Sequence, residues 1–129
     1  MKKIIFTGLA LMVSMTAMAQ QDLADDGSRV VLPLEAQACN LPSAPPPIPE
    51  TAIKEDLLKA QKNVKGFQAD MADYRACIDK DTGSGELTLG NQQAILSAHD
   101  YSVEMEERIA ERFNVAVRGY KERKAAAEG

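Results

Sequence analysis

The sequence predicts an all-α fold: an antiparallel two-helix hairpin with an extended proline-rich N-terminal strap, tied by one disulfide. Three observations predict it. Two long stretches carry apolar residues at alternating three- and four-residue spacing, the period of one helix face. A block holding all six prolines precedes them, where neither helix nor central strand can form. The chain has two cysteines, one in each part.

The chain opens on a segment of a different kind. Lys2 and Lys3 are followed by a mostly apolar run from Ile4 to Val13, then by Ala17-Met18-Ala19. A basic start, a short apolar stretch and a small-x-small site are what signal peptidase reads, so residues 1–19 are expected to be removed between Ala19 and Gln20. The apolar run is shorter than the roughly 20 residues a bilayer span requires. Cys39 lies too far from it for a lipoprotein, and nothing later is apolar enough to cross a membrane. The expected location is therefore periplasmic or secreted, with no integral membrane segment in the mature chain.

Removing residues 1–19 leaves 110 of the 129 residues, enough for one domain with a modest core. The whole chain has 15 Lys plus Arg against 19 Asp plus Glu, a net charge of −4. Two of the lysines go with the signal, so the remainder is more acidic still, which argues against nucleic acid as a partner. The chain has no tryptophan and few other aromatics, a composition that suits helix packing better than a sheet sandwich.

Residues 20–38 read as a flexible segment, polar and acidic at first, with Val30-Val31-Leu32 as a short strand or an apolar tether. Residues 39–126 form the hairpin domain, of which 39–52 are the strap. Pro42, Pro45, Pro46, Pro47 and Pro49 predict polyproline II there. The first helix is predicted from Lys54 to Asp79, with Thr51 as its cap and Leu57, Ala60, Val64, Phe67, Met71, Tyr74 and Ile78 as its buried stripe. Gly66 in its middle suggests a close contact. Asp79 to Gly90, with three glycines, is a loop. The second helix is predicted from Asn91 to Lys124, on a stripe of Ile95, Ala98, Ser102, Met105, Ile109, Phe113, Ala116 and Tyr120.

An even cysteine count in an exported chain favours a disulfide between Cys39 and Cys77 over a redox or metal pair, which would want C-x-x-C spacing. Lengths agree. The 14 residues from Cys39 to Ile53 span roughly 43 Å in polyproline II, and the 24 from Ile53 to Cys77 cover roughly 36 Å as helix. The strap can run back along the first helix and bring the cysteines together.

Candidate chemistry is thin. Asp79-Lys80-Asp81-Thr82-Gly83 begins like a calcium loop, but the sixth and twelfth positions hold Ser84 and Gly90 instead of glycine and a bidentate acid. His99 is the only histidine, with Asp100 beside it in sequence and Ser102 three residues on. Asp70, Asp73, Glu104, Glu106 and Glu107 have the spacing of a solvated helix face. No phosphate-binding glycine motif occurs. No catalytic residue, cofactor or metal is expected, and an enzyme is the weaker reading. The stronger one is a structural or protein–protein contact module, in which coiled-coil pairing with itself or a partner helix covers an apolar edge. A holdase-like chaperone for unfolded exported chains is the alternative.

A resemblance adds to this. Cys39 with Pro42, Pro45 to Pro47 and Ile48-Pro49 is one part of it. Gln61 with Val64-Lys65-Gly66-Phe67, then Tyr74-Arg75-Ala76-Cys77, is the second. Phe113-Asn114 with Arg118-Gly119-Tyr120-Lys121 completes it. In this pattern the chain resembles a group of small exported proteobacterial proteins, from Cys39 to about Arg123. The resemblance implies export and paired cysteines, and brings neither an activity nor a ligand.

Overall fold

The computed structural model describes residues 22–80 and 85–129. Helix accounts for 68% of the structure and no strand forms, so the all-α class holds among the described residues. The elements are α1 (Leu34–Gln37), α2 (Lys54–Lys80) and α3 (Leu89–Glu128).

α2 forms where its stripe predicts it. Leu57, Ala60, Phe67, Met71, Tyr74 and Ile78 are buried, and Met71 and Ile78 have no exposed surface. Its start differs from expectation. Thr51 does not cap it; the Asp56 carboxylate reaches back and accepts from the Ile53 amide at 3.0 Å. Gly66 marks no close contact either, since a Cβ built there meets nothing within 4 Å.

α3 is longer than its predicted bounds at both ends. Along it only Gly90, Ser102 and Ile109 are buried, while Ile95, Ala98, Met105, Phe113, Ala116 and Tyr120 are half-covered. Contacts between the long helices pair ascending positions on α2 with descending ones on α3. Arg123 donates to the Ala52 carbonyl just before α2, Phe67 shares the core with Ile109, Arg75 meets Glu106, and Asp79 meets His99.

The first turn of α3 shows where residues 22–38 meet the long helices. A helix start leaves its first amides without intrahelical acceptors. Here Thr88 and Asn91 form a capping box, Thr88 Oγ1 accepting from the Asn91 amide at 3.0 Å. The Gly90 amide donates to Ser28 Oγ at 2.8 Å, and Asn91 Nδ2 donates to the Val31 carbonyl at 2.8 Å. Ser28 is held by a tight turn closed by an isolated Leu23–Arg29 bridge, with Gly27 at φ 81°. That left-handed value suits glycine.

Leu32 then packs on the core as the apolar tether, and Ala36 of α1 is 1% exposed within it. The segment expected to be flexible thus contacts both long helices from residue 22 on.

Residues 39–50 show a regular pattern. Cys39, Pro42, Pro45 and Ile48 are half-buried, and every residue between them is exposed. Three residues per turn is the repeat of polyproline II. Residues 40–48 form no hydrogen bond among the described residues; the nearest are Cys39 to Ala36 on one side and Ala52 to Pro49 on the other.

Candidate functional site

Two cysteines in separate elements are brought together as expected. The single turn of α1 sets Cys39, the last turns of α2 set Cys77, and they form a disulfide with Cα atoms 5.8 Å apart. Beside it lies an open hollow of about 610 Å³, lined by Asn40, Pro42, Ser43, Asp70, Asp73 and Tyr74. Asp70 and Asp73 thus share one rim. Glu106 is not with them: it accepts two hydrogen bonds from Arg75, at 3.2 and 3.3 Å.

His99 finds a carboxylate, but not its sequence neighbour. Its Nε2 lies 2.6 Å from Asp79 Oδ1, and no contact joins it to Asp100. Ser102 is fully buried; its hydroxyl donates to the His99 carbonyl at 2.7 Å and accepts from Arg75 at 3.1 Å. A nucleophile must be hydrogen-bonded to the ring of its base. The Ser102 hydroxyl is instead engaged by backbone and Arg75. Among the described residues no three His, Cys, Asp or Glu side chains are grouped to hold a metal ion, and no helix is long and apolar enough to cross a membrane. Ala19, Gln20 and residues 81–84 of the calcium-like loop lie outside the described residues.

The larger feature is a groove of about 810 Å³ between Pro47–Glu50 and the C-terminal half of α3. Its floor is apolar, with Ile48, Val115, Ala116 and Gly119. Arg108, Arg112 and Arg123 stand along it with Glu50 and Glu111. Most of these charges are used. Arg108 pairs with Glu104, Glu111 accepts from Arg118 at 3.0 Å, and Arg123 donates to the Ala52 carbonyl at 2.9 Å. Gly119 leaves room for that last contact, since a Cβ there would press on Arg123 Nη1 at 3.3 Å.

Neither groove nor hollow was expected from sequence, because both depend on where the proline-rich segment crosses the helices. One signal was present: Cys39, Pro42, Pro45 and Ile48 recur every three residues, the spacing of one polyproline II edge.

The chain matches no family model, no curated protein and no solved structure.

Proposed function

We propose that this is an exported, non-enzymatic envelope protein that acts through protein–protein contact. In this reading its body is an antiparallel hairpin of α2 and α3, with residues 39–52 as a strap clipped by Cys39–Cys77. The observation that carries the reading is the amount of large apolar surface left on α3. Leu96 is 65% exposed, Tyr101 48%, Val103 44% and Val115 52%, the last on the groove. Exposed apolar surface marks a contact site where it forms a contiguous patch and not scattered single side chains. Export is supported by the signal-like residues 1–19 and by the disulfide, a bond that persists in oxidising compartments.

The groove also favours a second reading, a holdase that takes up unfolded exported chains, because it is open and mostly apolar. Covalent cross-linking of the mature protein in its own compartment, with mass identification of the adducts, separates the two. One recurrent partner, or the protein itself, is the expected result. A broad spread of unrelated exported chains favours the holdase, and no adduct at all contradicts both.

A further inference from the structure

We propose that the two outward edges of the proline-rich segment form a recognition surface for a different protein that carries an aromatic-lined groove. The inference rests on the partner-binding reading above and adds to α3 a second surface, with the chemistry of the partner it takes.

The segment turns one edge, Cys39, Pro42, Pro45 and Ile48, toward the helices. The other two edges, Ser43–Pro46–Pro49 and Leu41–Ala44–Pro47, are exposed, with Pro47 and Pro49 also bordering the groove on α3. Residues 40–48 spend no hydrogen bond on the body. Their position is fixed from the two ends instead, by the disulfide at Cys39 and by the Pro49–Ala52 turn that Arg123 holds to α3. A polyproline II segment with both ends fixed has little conformational freedom left to lose on binding.

Three occupants can be compared on chemistry. A β-strand needs amide donors along its neighbour, and Pro42, Pro45, Pro46, Pro47 and Pro49 have none, so strand addition fails. A second copy of this chain would have to supply the aromatic groove itself. It has no tryptophan, Phe67 and Tyr74 are buried, Phe113 and Tyr120 are half-buried, and Tyr101 alone among the described aromatics is exposed. A groove of aromatic rings on another protein meets both needs: its ring faces pack on the outward prolines, and its indole N–H or phenol O–H groups reach the unpaired carbonyls.

Because the chain lacks tryptophan, binding can be read from the partner's own fluorescence. The probe is a small panel of domains with tryptophan-lined grooves that take polyproline peptides, titrated with the intact oxidised protein. A saturable fluorescence change is expected, weakened about tenfold or more in Pro46→Asp/Pro47→Asp and unchanged in Leu58→Asp, an exposed position on α2. Circular dichroism and a retained disulfide verify that the double variant keeps its fold. No change with the wild-type protein, or equal binding by the double variant, overturns the inference. The partner-binding reading fails separately: if cross-linking yields one recurrent partner that Pro46→Asp/Pro47→Asp still captures, that reading stands and the strap inference falls.

Discussion

Gly66 and Gly90 are both glycines within helices, and their surroundings give them opposite roles. A Cβ at Gly66 enters open space, so Gly66→Ala removes the helical cost of glycine at no packing penalty. We expect about 1 kcal/mol of added stability, seen as a raised denaturation midpoint. A Cβ at Gly90 would lie 2.0 Å from the Arg29 carbonyl oxygen, a backbone atom that cannot step aside alone. Gly90→Ala is expected to undock residues 22–31 at a cost of roughly 1–3 kcal/mol, with faster amide exchange confined to that segment. The sequence puts Gly66 inside a helix with a suggested close contact and Gly90 in a loop; only the long-range contact shows that Gly90 is the packed one. Asp26 belongs to the same junction. The Ser28 hydroxyl foremost, then the Ser28 amide, hold its carboxyl below the ordinary value of 3.8. The folded chain therefore favours the carboxylate, and the contribution is present above that value and lost as pH falls through the lower folded one. Acid titration followed by amide exchange at Gly90 is expected to show loosening only in that acid range. Asp26→Asn should flatten the dependence.

The long helices were legible as elements because their apolar residues repeat at three and four, a pattern that needs no knowledge of partners. The caps were less so. Thr51 has the right side chain for a cap, but Asp56 reaches the Ile53 amide first, and residues 22–38 look polar until Ser28 is seen against Gly90. The disulfide was legible from count and spacing, and its energetic role is testable at this scale. It closes a loop with a sequence separation of 38 between elements that otherwise share no hydrogen bonds along residues 40–48. In the chain-entropy treatment the closure contributes about 3–4 kcal/mol. Cys39→Ser/Cys77→Ser is expected to lower the melting temperature by ten degrees or so or more. An unchanged melting temperature would mean that apolar packing alone holds the segment.

For the molecule as a whole, a thin core and a long α3 leave one question to chemistry: what covers the remaining apolar surface. α3 has 40 residues against 27 in α2, so its N-terminal turns depend on residues 22–37 and its far end on Arg123 and Ala52. The groove was not legible because it is made by the crossing of segments far apart in sequence, whereas the proline run and its three-residue spacing were visible and only which edges stay exposed was not. Both readings of function require the same prior event. Residues 39–52 are tied to α2 by a disulfide, a bond that persists in oxidising compartments and is rare in the reducing cytosol. Intact mass spectrometry of the protein recovered from its own cells, with and without thiol alkylation, tests this most directly. We predict a chain beginning at Gln20, lighter by two hydrogens than its reduced form, that takes up alkylating reagent only after reduction. A full-length chain starting at Met1 whose two thiols alkylate without reduction would contradict it.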